Sequence, residues 1–318
     1  MSSSAHDHPL PPPRVEEVSD GVYAYLQPDG SWWINNTGFL AGRRGVVVVD
    51  ACSTERRTRA FRDAIGKVTD RPITTLVNTH HHGDHTFGNW LFPEATIVGH
   101  EGVREHIIAD GVPAYRAAWS PGWSGARWSR PRRSSPSPTR ITVHSDELRC
   151  EVRHVGHAAH TTNDSYVWIP ERRLLFSGDL VFNGGTPFVL MGSVAGALQA
   201  VEQLRGLGAE TIVPGHGEVC GPEAYEPVEG YLRFVQETAR RGREAGLTPL
   251  EAARETDLGE WGRAARRRAH RGQPAPRLRR ARRAPPGGAD RPGHRHPRHD
   301  HLQRRAAIVL PCVRSDGW

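Results

Sequence analysis

The sequence predicts an α/β protein arranged as a four-layer α/β/β/α sandwich. Two observations carry this expectation. Short β-rich runs gather in two halves of the chain, and each half closes with amphipathic helices. In the first half, GVYAYL (21–26) alternates as a strand, SWWINNTGFLAG (31–42) reads as a second, and GVVVVDAC (45–52) as a buried apolar third. TERRTRAFRDAIGKVTD (54–70) reads as a helix with Thr54 or Ser53 as its N-cap. A buried strand ITTLVNTH (73–80) follows, then ATIVGH (95–100) and a helix EGVREHIIAD (101–110). The second half supplies strands LRCEVRHV (148–155), SYVWIP (165–170) and RRLLFSGD (172–179), and a helix SVAGALQAVEQLRGL (193–207). A strand ETIVPGH (210–216) and the long helix 222–246 complete it, with a helical pattern continuing through LTPLEAARETDLGEW.

Composition sets bounds around this body, which is expected to span residues 18–260. Residues 1–17, rich in Pro and Ser and without the apolar stretch of an export signal, read as a flexible lead-in. No run approaches 18 consecutive apolar residues, so no membrane span is expected. Cys52, Cys150, Cys220 and Cys312 lie far apart with no C-x-x-C, which argues against a disulfide framework or a thiolate site and fits a reducing cytoplasm. The net charge of +7 is unevenly placed: sixteen Arg against three Asp from Trp261 onward leave the preceding residues at −6. An acidic body gives no reason to expect nucleic-acid binding. The tail 261–318 has no apolar periodicity and is crowded with Arg, Pro and Gly, as is the shorter segment 125–140. One Lys, Lys67, among 42 basic residues marks GC-rich coding, and such DNA read out of frame yields this composition. The tail therefore reads as a polyanion-binding arm, a solvated disordered tail or a frameshift product, and the segment 125–140 has the same look; resequencing the gene tests the frameshift.

The stretch 79–89, THHHGDHTFGN, concentrates the chemistry. His80, His82, Asp84 and His85 form H-x-H-x-D-H directly behind a buried strand, so the strand holds still while the loop binds. Imidazoles with one carboxylate and no thiolate nearby are a ligand set for zinc or a similar first-row ion. One such run cannot close a site. Further donors stand in GHAAHT, FSGDLVF and VPGHG, where His154, His157 and His160 compete in the first, and Asp179 and His216 mark the others.

In this order and at these spacings the four motifs resemble those of the metallo-β-lactamase superfamily. The resemblance covers roughly residues 18–245 and implies the four-layer sandwich, with metals at one edge of the two sheets. It implies that His80, His82 and His160 hold one metal, and Asp84, His85 and His216 a second, with Asp179 bridging both. The family's G-x-x-x-H-T pattern, here Gly156–Thr161, selects His160 over its neighbours. Two Zn2+ per chain are expected, iron being the alternative ion. Two cations about 3.5–4 Å apart lower the pKa of a shared water from about 15.7 toward about 7 and polarise a carbonyl. Asp84 is expected to act catalytically, orienting that nucleophile or relaying its proton. Asn163 and Asp164 are candidates to orient the histidine ligands.

For the substrate, GSWWINNTGFLAG and NGGTPFVLMGSVAGAL flank the expected site. Trp33 and Phe188, with Trp32, suggest an aromatic wall for a flat apolar molecule, with Asn36 and Asn35 as polar handles. These stretches are similar to the metallo-β-lactamase-fold cyclases of bacterial aromatic polyketide pathways. That similarity implies a small-molecule thioester or polyketide substrate, carried on an acyl carrier protein, which is closed by an aldol step and released by thioester hydrolysis. The rival readings are a glyoxalase II-like hydroxyacyl thioester hydrolase, which expects a cationic patch not seen beside the motifs, and a persulfide dioxygenase with one iron.

Overall fold

The computed structural model describes residues 12–27, 33–110, 139–189, 191–259 and 261. The expectations for 1–11, 125–138 and 262–318, Trp32 among the site candidates, and Cys312 fall outside these residues. The first half contains β1 (Arg14–Ser19), β2 (Val22–Leu26), β3 (Thr37–Ala41), β4 (Val46–Val49), α1 (Glu55–Val68), β5 (Ile73–Val77), the one-turn α2 (Gly83–Thr86), β6 (Thr96–Val98) and α3 (Glu101–Asp110). The second contains β7 (Arg140–Ser145), β8 (Leu148–His154), β9 (Ser165–Ile169), β10 (Leu174–Phe182), α4 (Val194–Arg205), β11 (Thr211–His216), α5 (Tyr225–Glu244) and α6 (Pro249–Glu255).

The halves repeat one plan. Strands β1 to β4 pair antiparallel, and β5 and β6 then join in parallel. Strands β7 to β10 likewise pair antiparallel before β11 joins β10 in parallel. Sheet orders are β1-β2-β3-β4-β5-β6 and β11-β10-β9-β8-β7. Apolar residues in alternation separate the layers. Along β4, Val47 and Val49 meet Val152, Val167 and Phe176 of the other sheet, while Val46 and Val48 turn outward to Phe61 and Ile65 of α1. On the far side, Leu175 and Trp168 pack with Ala197, Val201 and Leu204 of α4 and with Val228, Leu232 and Val235 of α5. The expected four-layer sandwich is therefore the observed one.

Local chemistry explains the helix limits. Thr54 caps α1 by accepting from the Arg57 amide, and Thr248 with Glu251 closes a capping box on α6. In α5 the buried Val228, Tyr231, Leu232, Val235, Thr238 and Gly242 recur at helical spacing. Three expectations need correction. The lead-in cannot extend to residue 17, because β1 begins at Arg14, and its charged residues suit an exposed edge strand. The strand expected over 31–42 covers only Thr37–Ala41, since Trp33 stands at φ 68° and the following asparagines bond away from the ladder. The segment 125–140 ends inside β7, a strand that forms a tight hairpin with β8 through Asp146 at φ 50°. Cys52, Cys150 and Cys220 are free, and no described helix is long and apolar enough to cross a membrane.

Candidate metal centre

Strands β5, β10 and β11 and the β8–β9 connection bring their ends to one edge between the two sheets. Asn78 and Thr79 leave β5, and the one-turn α2 carries Asp84 and His85. His160 comes from the β8–β9 connection, Asp179 from within β10, and His216 ends β11. Ligand atoms of His80, His82, His160 and Asp179 lie within 4.8 Å of one another, and so do those of Asp84, His85 and His216.

Asp179 stands between the two groups. Its Oδ2 is 3.2 Å from His160 Nε2, 3.9 Å from His80 Nε2 and 3.4 Å from His216 Nε2, while its Oδ1 is 3.1 Å from His85 Nε2. His160 Nε2 and His82 Nδ1 are 2.9 Å apart. Asp84 Oδ2 lies 3.4 Å from His216 Nε2 and 3.7 Å from His85 Nε2. Nε2 of His80 is buried without a hydrogen bond, and the buried Nε2 of His85 and Oδ1 of Asp179 face each other at 3.1 Å without a well-formed one. Such orphans cost about 1–3 kcal/mol each unless something pairs them. Five imidazoles and two carboxylates with orphaned donors facing inward fit a first-row cation such as zinc.

Outward partners fix which nitrogen faces the cluster. The Thr79 hydroxyl donates to Asp50 Oδ2 at 2.7 Å, so at 3.1 Å from His80 Nδ1 it can only accept, and the His80 proton sits on Nδ1. Asp50 Oδ2 also accepts from His85 Nδ1 at 2.8 Å, and its Oδ1 accepts from the Thr79 amide at 2.8 Å. His160 Nδ1 donates to the Phe188 carbonyl, and His216 Nδ1 to that of Ile34 at 3.0 Å. Each of these four rings, when neutral, therefore turns an unprotonated Nε2 inward. His82 does the reverse, with Nε2 3.3 Å from Met191 Sδ and Nδ1 turned inward.

Burial opposes charge throughout. It prevails at His80 and His82, joined by His85 for the former and His160 for the latter, and drives both well below the usual histidine range. At His85 the carboxylates of Asp179, Asp50 and Asp84 outweigh burial and push the ring well above that range. At His216 burial is again outweighed, by Asp179 and Asp84, and the ring rises to about 9. Burial would raise both acids, yet His216, His85 and His160 pull Asp179 well below the carboxylate range, and His85 and His216 lower Asp84.

The other sequence candidates lie around this centre. Asp164 accepts from the Thr161 amide and hydroxyl, each at 2.7 Å, which fixes the turn after His160. Asn163 Oδ1 accepts from the His81 amide at 3.2 Å. Gly215 is required by Asp179, because a Cβ there would sit 2.0 Å from its Oδ1; Gly217 stands at φ 99°. The Phe188 ring lies 6.0 Å from that of His82, and Trp33 tilts against Phe87 at 6.0 Å. Asn35 and Asn36 are not the free polar handles expected: both are buried, and their amides bond backbone carbonyls of Ala51, Pro214 and Gly217. Asp50 and Thr79 went unrecognised in the sequence, where a carboxylate ending the run GVVVVD was the available signal.

His154 and His157 stay apart from the cluster. His157 Nε2 meets the Gly196 carbonyl at 3.0 Å, and the half-buried His154 ring stacks on His100 at 3.9 Å. Burial, then His100 and His157, lower His154 to about 4. Below the ordinary value near 6.5 the unfolded chain takes up a proton that the folded ring refuses, so stability is lost as pH falls from about 6.5 toward about 4. His154→Gln is expected to gain on wild type by about 1 kcal/mol at pH 5 relative to pH 7, discounted for the exposed half of the ring. Thermal melts of both proteins across that range check this, and parallel curves contradict it.

The family model described as Metallo-beta-lactamase superfamily matches residues 30–216. The chain is 29% identical over 211 residues to the 2,4-dinitroanisole O-demethylase subunit alpha of Nocardioides sp. (strain JS1661), covering 64% of this chain and 55% of that one. It is 29% identical over 186 residues to the hydroxyacylglutathione hydrolase of Rhodospirillum rubrum, covering 57% and 61%. The chain thus spans between 55% and 61% of the length of these relatives. Among solved structures, the metallo-beta-lactamase from Pontibacter korlensis superposes with a TM-score of 0.57 at 18% identity, over 70% of this chain and 99% of that one. DIM-1 metallo-beta-lactamase gives 0.56 at 18%, over 71% and 99%. At such identities these structures speak to the fold alone.

Proposed function

Because the chain belongs to the metallo-beta-lactamase superfamily, whose members are metal-dependent hydrolases, we propose that it is a binuclear zinc hydrolase acting on the thioester of an aromatic acyl group. The observation that carries the proposal is Asp179, whose two oxygens reach histidines of both donor groups. His80, His82, His160 and Asp179 would hold one metal, and Asp84, His85 and His216, with Asp179, would hold the other. Zinc in such a site supplies water ionised near neutral pH and a Lewis acid for the carbonyl. Asp84, whose carboxyl His85 and His216 lower against the effect of burial, would orient the nucleophile through a carboxylate oxygen. Asp50 and Thr79 hold the rings of His85 and His80 in register, which spares reorganisation during reaction.

The mouth of the site supports the substrate class. Phe188 stands over His82, Met191 lies against the same ring and is 43% exposed, and Trp33 with Phe87 forms a second aromatic pair. The nearby asparagine amides are committed to backbone, so the walls offer apolar area more than hydrogen bonds. That suits an aromatic polyketide thioester delivered by an acyl carrier protein, with ring closure followed by hydrolytic release. A second reading, hydrolysis of a hydroxyacylglutathione, is favoured by the Rhodospirillum rubrum relative.

Turnover of zinc-loaded protein on naphthoyl N-acetylcysteamine thioester and on S-lactoylglutathione tests the two readings. The aromatic thioester is expected to be preferred. Phe188→Ala and Trp33→Ala should each raise its KM about tenfold with kcat little changed, the signature of lost uniform binding. Preference for lactoylglutathione, unmoved by either variant, would replace the first reading with the second.

A further inference from the structure

Residues 34–36 cross from the first sheet to the end of β11 and hold it at four points. The Ile34 carbonyl accepts from His216 Nδ1 at 3.0 Å. The Asn36 amide donates to the Gly215 carbonyl at 2.7 Å. Asn36 Nδ2 donates to the carbonyls of Pro214 at 3.0 Å and Gly217 at 2.6 Å. Its Oδ1 accepts from the Gln27 amide at 3.3 Å, which leaves only one orientation of the side chain that satisfies every partner.

From the β10 side the Asn183 amide donates to the His216 carbonyl at 2.9 Å and the Phe182 ring stacks on His216 at 5.1 Å, but the ladder itself is weak here. Pro214 has no N–H to give the ladder, Gly215 and Gly217 flank His216, and the pairing of β10 with β11 slips between Gly178 and Phe182. Three successive non-histidine carbonyls are instead taken by one buried asparagine about 180 residues away in sequence. His216 must nevertheless keep Nε2 3.4 Å from both Asp84 and Asp179.

We propose that Asn36 is the positioning residue of the His216 arm: its amide sets where His216 stands against Asp84 and Asp179, and thereby governs occupancy of the second metal position. This rests on the two-metal reading above. Asn36→Asp keeps the shape but turns a carboxylate oxygen toward two carbonyls. In Co2+ titrations it is expected to weaken the Asp84/His85/His216 position by about 10–100-fold while the His80/His82/His160 position keeps its affinity. Leu204→Ala, a core truncation on α4, is the comparator for general loss of stability and should leave the ratio of the two affinities unchanged.

Hydrogen exchange on the metal-free proteins supplies a readout that needs no metal. Amides of Gly215, His216 and Gly217 should exchange at least tenfold faster in Asn36→Asp, and those of Thr211 to Val213 should not. If wild type takes up no cobalt, the two-metal reading fails and the exchange result alone judges Asn36. Wild-type affinities at both positions, equal weakening of both, or unchanged exchange at 215–217 would each overturn the inference. Should Asn36→Asp not fold, Asn36→Ser, which removes the paired donors without adding charge, is read by the same criteria.

Discussion

Asp179→Asn is expected to cost the protein more metal and more turnover than any other single replacement. Asparagine preserves the volume that Gly215 leaves free but removes the charge and one of two oxygens, of which Oδ1 faces His85 and Oδ2 faces His160 and His216. An amide nitrogen would then point either at His85 Nε2 or at the His160 and His216 nitrogens, and no orientation serves both sides. Metal content should fall below one per chain, and turnover by at least about three orders of magnitude, several kcal/mol of transition-state stabilisation. The fold should survive, because His85 and His216 owe their raised pKa values largely to this carboxylate and can give up their protons when it goes. Elemental analysis and circular dichroism of the variant check both halves. Retention of two metals would show that Asp179 does not bridge.

Asp50→Asn should have the next largest effect, although Asp50 touches no metal position directly. One carboxylate accepts from the Thr79 amide, the Thr79 hydroxyl and His85 Nδ1, and the hydroxyl in turn accepts from His80. An asparagine must set its NH2 against one of these donors. Leaving that buried donor unpaired, together with the loss of charge-assisted bonds, is expected to destabilise by about 2–4 kcal/mol. Because both His80 and His85 depend on it, zinc affinity should drop about 10–100-fold at both positions together, unlike the one-sided effect expected of Asn36→Asp. Chemical denaturation and zinc competition titrations measure the two effects separately. Unchanged affinity would mean the rings are held by packing alone.

What could be read from the chain follows physical lines. The H-x-H-x-D-H run was legible because its donors are contiguous and stand behind an apolar strand. His160 follows a strand, Asp179 lies within one and His216 ends one, each in a recognisable motif, and the layers follow from alternating valines such as Val46 to Val49. Asp50 was not legible. In sequence it only ends a strand, and its link to Thr79 spans 29 residues that the parallel pairing of β4 with β5 folds together. Asn36 was misread for a related reason. An asparagine near a site can as well satisfy carbonyls as a ligand, and only the approach of β11 shows which carbonyls are left over. Strand β1 was hidden because its exposed charged residues follow a proline run without the alternation of a half-buried strand.

Metal content of the untagged protein by elemental analysis, measured beside His82→Ala, tests the central claim most directly. The account predicts about two zinc per chain in wild type and a sharp fall in the variant, which stays folded. One iron per chain would contradict the binuclear hydrolase and point to dioxygenase chemistry. Soluble, folded wild type that binds no metal would contradict the metal centre itself.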